Sequence, residues 1–185
     1  MADRHQFRAK WHDYNGGMYF VTICCAEKRH LFGEINRSEM DLNECGKIAK
    51  DMIDEIPLHF PSSEVLNYVI MPNHIHLLIA IDRDSTSATP NHEYGCLKQK
   101  CHIGSVNQDF HHNSALAQII GRFKSFTTKK CRKVNPSFTW QSRFYDNIIS
   151  DQKTYLLVMN YIDSNIERWT NDCFYSDNRI PQIYY

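Results

Sequence analysis

The stretch "VIMPNHIHLLIAI", residues 69–81, constrains this chain more than any other. Its β-branched and apolar residues have strand composition, and Pro72-Asn73 is a turn dipeptide that splits the run in two. Side chains alternate across a strand, so His74 and His76 project from one face while Ile75 projects from the other. Their imidazoles then stand about 6–7 Å apart at the Cβ level, near enough to converge on one ion. Imidazole is the commonest neutral metal ligand. The same spacing also suits two strand histidines with satisfied hydrogen bonds. The apolar run around them makes unpartnered imidazoles costly, which favours the metal.

The rest of the chain supplies a sheet for this strand. "GMYFVTICCA" (17–26), behind Gly16-Gly17, reads as a strand. "LFGEI" and "EMDL" suggest a small hairpin around Asn36-Arg37-Ser38. Asn43 is placed to cap a helix through "ECGKIAKDMIDEI", with Ile48, Met52 and Ile56 at four-residue spacing and Pro57 and Pro61 closing it. "EVLNYVIM" and "IHLLIAI" are two further strands. A second helix follows over 114–133 through Leu116, Ile120 and Phe123, then an extended aromatic segment, "FTWQSRFYDNIIS". Asp151 is placed to cap a last helix, "QKTYLLVMNYIDSNIERW". This order predicts an α+β fold, an antiparallel sheet with helices on one face. A length of 185 residues suits one domain, 1–185. The polar stretch from Asp82 to Asn113 is a long connection without an assigned role.

Bulk properties exclude more than they suggest. Lys plus Arg equals Asp plus Glu at 21 each, so a polyanionic partner must be met by a local patch. Seven cysteines, without a CxxC pair or signal-like N-terminus, read as reduced thiols rather than a disulfide framework or zinc ribbon. No run approaches the ~18 apolar residues that cross a membrane. The expected location is the cytoplasm.

Two histidines need a further ligand. The last helix offers Tyr161 and Asn165, spaced i, i+4 and therefore on one helical face. A phenol one turn from a carboxamide can set a nucleophile and a ligand oxygen beside the same ion. A half-buried tyrosine and a surface asparagine would read identically. Tyr155, six residues away, points about 120° from Tyr161. Tyr145 sits in the extended segment, and Tyr184 and Tyr185 lie in the tail.

Taken together, "MPNHIHLLI" and "YIDSNIERW" resemble the HUH single-tyrosine transposases, in particular the REP-associated tyrosine transposases and their insertion-sequence relatives. "YNGGMYFVTICC", "LFGEI...MDLNECGKIA", "FKSFTTKK" and "WQSRFYDNII" resemble other parts of that family, so the likeness spans most of the chain. It implies a ferredoxin-like sheet, with His74 and His76 as the HUH histidines, Tyr161 as nucleophile and Asn165 as third metal ligand. Ile166 stands where the family usually has proline. Proline there would interrupt a helix, so this helix is expected to end differently. The implied activity is cleavage and rejoining of single-stranded, hairpin-associated DNA through a 5′-phosphotyrosine. The implied cofactor is Mg2+ or Mn2+, whereas ligand softness alone would suit manganese or zinc. The resemblance leaves monomer and homodimer open, and no membrane is implicated.

A basic helix meets the need for a local patch. Arg122, Lys124, Lys129, Lys130, Arg132 and Lys133 fall within 115–135, which has no acidic residue. Arg122, Ser125, Lys129, Arg132 and Lys133 share a side opposite Leu116, Ile120, Phe123 and Thr127. The N-terminal "RHQFRAKWH" mixes cations with Phe7 and Trp11, a combination that can stack unpaired bases. Two other functions fit the same residues. One is a zinc-dependent hydrolase or nuclease using the HxH pair and a metal-bound water. The other is a non-catalytic DNA-binding relative.

Overall fold

Strand β1 (Gly17–Cys24) runs through the middle of a four-stranded antiparallel sheet, in a computed structural model that describes residues 14–82 and 114–175. The hairpin of β2 (Gly33–Asn36) and β3 (Glu39–Leu42) forms a separate two-stranded sheet. Its turn residues Arg37 and Ser38 both take positive φ, the conformation that two-residue hairpin turns require. Helix α1 (Glu44–Asp54) starts where the Asn43 side chain accepts from the Gly46 N–H. Pro57 does not end the helical path; it occupies the first turn of a short helix α2 (Ile56–His59), where a missing N–H costs nothing. Strands β4 (Ser63–Ile70) and β5 (His74–Ile81) follow, then α3 (Ala115–Cys131), β6 (Tyr145–Ile149) and α4 (Gln152–Asp163).

The sheet order is β4-β5-β1-β6. With the hairpin set aside, this is a strand–helix–strand unit repeated twice, the ferredoxin-like arrangement that was expected. Helices α1 and α3 cover one face. There Ala49, Met52 and Ile53 of α1 and Leu116, Ile119 and Phe123 of α3 pack on Val21, Ile23, Ile75, Leu77 and Ile79. Helix α4 covers the reverse face, adding a layer beyond the helices on the first. Its Ile162, with Val158 and Met159 beside it, packs with Leu78, Val69 and Phe20. Burial on both faces explains why β5 is apolar almost continuously instead of alternating.

This layering sets the two histidines. Ile75, Leu77 and Ile79 enter the α1–α3 core, so His74 and His76 face α4. A bulge in β4 between Val65 and Asn67 turns Asn67 towards α4, where its amide donates to the Asp163 carboxylate at 2.8 Å. That bond ties the end of α4 to the sheet edge. The described cysteines Cys24, Cys25, Cys45, Cys131 and Cys173 are all free thiols. Among the described residues no helix is long and apolar enough to cross a membrane.

Candidate active site

The turn before β5 is held on several sides. The Cys25 N–H donates to the Asn73 carbonyl at 2.8 Å, and the Phe32 N–H to the Pro72 carbonyl at 3.1 Å. The Asn73 side chain is buried as well. Its Nδ2 donates to the carbonyls of Lys28 (3.1 Å) and Phe174 (2.9 Å). These two acceptors fix the amide's orientation, so its Oδ1, 2.8 Å from His74 Nδ1, must accept a proton from that ring nitrogen. His74 is thereby set with its Nε2 lone pair free. His76 is set from the neighbouring strand, where the Thr22 hydroxyl lies 2.9 Å from His76 Nδ1. Phe20 stacks on the His76 ring at 5.1 Å and meets Tyr161 edge-on at 5.9 Å.

The two Nε2 atoms face each other at 3.0 Å. Two nitrogens of one ion's shell adopt that separation at right angles when each lies about 2.1 Å from the ion. Both imidazoles are fully buried, and burial holds both neutral: His76 is pushed down to about 3, and His74 well below the usual histidine range. Neutral imidazole is the ligating form.

A carboxylate completes the cluster. Asp172 Oδ2 lies 4.0 Å from His74 Nε2, and one ligand atom each from His74, His76 and Asp172 lie within 4.8 Å of one another. Asp172 follows a short 3-10 turn (Trp169–Asn171) and is locked by the Phe174 N–H, which donates to its Oδ1 at 2.6 Å. The sequence reading missed this residue. It stands in a segment without periodicity, and nothing local marks it apart from other surface acids. Asn73 was missed for a different reason: the turn dipeptide accounted for it without a further role.

Tyr161 arrives on α4 with its hydroxyl 3.3 Å from His76 Nε2 and 3.3 Å from Asp172 Oδ2. Burial, and then the Asp172 charge, push its phenol up to about 12, while a hydrogen bond from the Asn165 side chain pulls the other way. Asn165 does not reach this point as a helical i+4 neighbour. Helix α4 ends at Asp163, where the Ser164 hydroxyl folds back onto the Asn160 carbonyl at 2.7 Å. Asn165 belongs to the turn that follows, buried, and its Oδ1 has no hydrogen-bond partner among the described residues. Two neutral imidazoles and a carboxylate whose ligand atoms lie within 4.8 Å of one another suit a divalent cation, and Asn165, which bonds to Tyr161, adds a buried orphan oxygen, so the residues present fit a metal. Tyr155 packs into the apolar cluster beneath α4, Tyr145 lies on edge strand β6, and Tyr184 and Tyr185 lie outside the described residues.

The basic residues of α3 are on the other side of the sheet from this cluster. Their surroundings differ. Lys124 is half-buried, and its Nζ donates to the Gln141 and Ser142 carbonyls at 2.6 and 3.2 Å. Arg132 donates through Nε to the Phe138 carbonyl at 3.1 Å, and Lys130 reaches Glu55 at 3.4 Å. Arg122 lies over the Phe126 ring at 4.8 Å, and Lys129 and Lys133 are exposed. The N-terminal cations and the 83–113 part of the long connection lie outside the described residues.

Comparison with known proteins places the chain. No family model matches it. An uncharacterized protein of Haemophilus influenzae Rd is 34% identical over 181 residues, spanning 94% of both chains. The chain belongs to that protein's family. Among solved structures, a REP-associated tyrosine transposase bound to a REP hairpin superposes with a TM-score of 0.55 at 15% identity. The superposition covers 91% of this chain and 74% of the other. The fold of the present protein is therefore transposase-like.

Proposed function

We propose that the protein is a metal-dependent DNA strand transferase, cleaving and rejoining single-stranded DNA near hairpins with Tyr161 as nucleophile. The observation that carries this reading is the position of the Tyr161 hydroxyl, 3.3 Å from both His76 Nε2 and Asp172 Oδ2 of the metal-type cluster. The hairpin partner is suggested by the DNA bound in the structural neighbour.

His74, His76 and Asp172, with the free Oδ1 of Asn165, would hold Mg2+ or Mn2+. When bound, the ion would polarise a phosphoryl oxygen and favour departure of the 3′ oxygen. The protein's own groups do the remainder. A phenol raised to about 12 is protonated at neutral pH, so it must lose its proton as it attacks. Asp172 Oδ2, which already accepts its hydrogen bond, takes that proton. The Tyr161 oxygen bonds to phosphorus, the bond from phosphorus to the 3′ oxygen breaks, and the leaving oxygen takes up the proton that Asp172 accepted and departs as a 3′-hydroxyl. The 5′-phosphotyrosine keeps the bond energy, and attack by another 3′-hydroxyl restores both DNA and phenol. Phe174 packs 4.7 Å from the His74 ring.

A histidine–histidine–aspartate set also suits a catalytic zinc with bound water, which keeps the hydrolase reading in view. One assay separates them: end-labelled single-stranded hairpin DNA with manganese or magnesium, resolved on denaturing gels. A covalent protein–DNA band in wild type that is absent in Tyr161→Phe supports strand transfer. Cleavage by both proteins without an adduct rejects it in favour of hydrolysis.

A further inference from the structure

On the sheet face opposite the histidine cluster, α2 and α3 flank a shallow open groove whose rim gathers planar side chains. Arg122 lies over Phe126 at 4.8 Å and over Phe60 at 6.0 Å, and its NH2 is 3.3 Å from His59 Nδ1. The His59 ring is near-parallel to Phe126, 27° between planes at 6.4 Å. Phe126 nevertheless leaves 42% of its surface in water, although a large aromatic ring gains by burial. On α3 Phe126 shares its face with Arg122 and Lys129, at spacings of four and three residues, and Lys133 stands in the turn just past the helix end at Cys131. Lys129 and Lys133 have no ion-pair partner among the described residues, and α3 has no acidic residue. The acid across the groove, Glu55, is already met by Lys130 at 3.4 Å and lies 3.8 Å from His59.

We infer that this groove is a single-stranded DNA site in which an unpaired base stacks at Phe126 while Lys129 and Lys133 hold the adjoining phosphates. The choice of DNA as polymer rests on the proposed function; the stacking site rests on the groove itself. An exposed ring beside a guanidinium and an imidazole offers a platform for any base, and unpaired cations on the last turn of α3 and in the turn that follows it suit the spaced charges of a strand. The charge favours a polyanion: Arg122, Lys129 and Lys133 gather on this side, and the nearby carboxylate of Glu55 is already met by Lys130. The site lies across the sheet from Tyr161, so one DNA would be anchored on one face and processed on the other, or by another molecule.

The test is fluorescence anisotropy of a labelled single-stranded oligonucleotide, and of the same strand with abasic sites, binding to wild type, Phe126→Ala and Phe126→Trp. Phe126→Ala is expected to weaken binding of the intact strand roughly five- to 150-fold, the worth of one base–aromatic stack. The loss should vanish on the abasic strand, and Phe126→Trp should bind like wild type. Replacing Lys129 and Lys133 together should lower the slope of log affinity against log salt by about 1.4, as two phosphate contacts on a single strand require. Equal binding by Phe126→Ala and wild type, or an equal loss on both strands, would overturn the site. Adduct formation by wild type is read in parallel and judges the Tyr161 chemistry separately. A stacking loss without any adduct would leave the groove standing and remove strand transfer; an adduct without a stacking loss would do the reverse.

Discussion

Thr22→Val is the most informative single change, because it removes one hydroxyl and little else. The Thr22 oxygen lies 2.9 Å from His76 Nδ1, and both residues are buried. Since His74 presents a bare lone pair at Nε2, the 3.0 Å contact between the two Nε2 atoms needs a proton on His76 Nε2 in the metal-free protein. Thr22 then donates to Nδ1. With an ion between the rings, His76 must carry its proton on Nδ1 instead, and the same hydroxyl turns to accept it. Valine can serve neither tautomer. It leaves a buried ring nitrogen unpartnered, at a cost of about 1–3 kcal/mol. For a chain of this size that corresponds to a fall in melting temperature of about 2–12 °C. Loss of such an outer partner should also weaken Mn2+ binding about 10- to 100-fold. Thermal unfolding and isothermal titration with Mn2+ on wild type, Thr22→Val and Thr22→Ser measure both effects. Serine should keep the metal affinity and lose only the packing of a methyl group. Equal Mn2+ affinity in the valine and serine variants would refute the claim that this hydroxyl sets His76.

Two further predictions address acid and the basic helix. His76 is held down to about 3 and His74 well below its usual range, against an unfolded value of about 6.5, so the unfolded chain takes up protons that the fold refuses. Stability of the metal-free protein should be complete above that pH and fall below it by about 1.4 kcal/mol per pH unit for each histidine; denaturant midpoints at pH 7, 6 and 5 that do not move would contradict it. Lys124→Met should destabilise the fold by about 1–3 kcal/mol, because the Gln141 carbonyl loses its 2.6 Å donor. It should leave the salt slope of DNA binding unchanged, and a reduced slope would show that Lys124 contacts phosphate after all.

Local rules carried the sequence reading a long way. The alternation of one strand put His74 and His76 on a common face, and the caps Asn43 and Asp151 started their helices where their side chains could satisfy free N–H groups. The order of strands and helices was enough for an antiparallel α+β sheet, and the family resemblance implied its ferredoxin-like form. The buried side of α3, Leu116, Ile120, Phe123 and Thr127, followed from helical spacing, whereas Arg132 and Lys133, expected on the same helix, lie past its end at Cys131.

What lay beyond the sequence are relations between distant segments. No periodicity could bring Asp172 to His74, because a turn residue has no repeating environment to betray it. Asn73 and Thr22 looked like a turn former and a strand residue until the fold set each against a ring nitrogen. Asn165 reaches Tyr161 through a tight turn after α4, where an uninterrupted helix had been expected. The side of the sheet occupied by each helix was also a tertiary outcome, and it separates Lys124 and its basic neighbours from the histidine cluster. Backbone preference and periodicity are properties of neighbours in sequence, so the chain alone determined its strands, its caps and the shared face of two histidines. Closure of the site depends on which surfaces bury one another, and only the packed structure decided that.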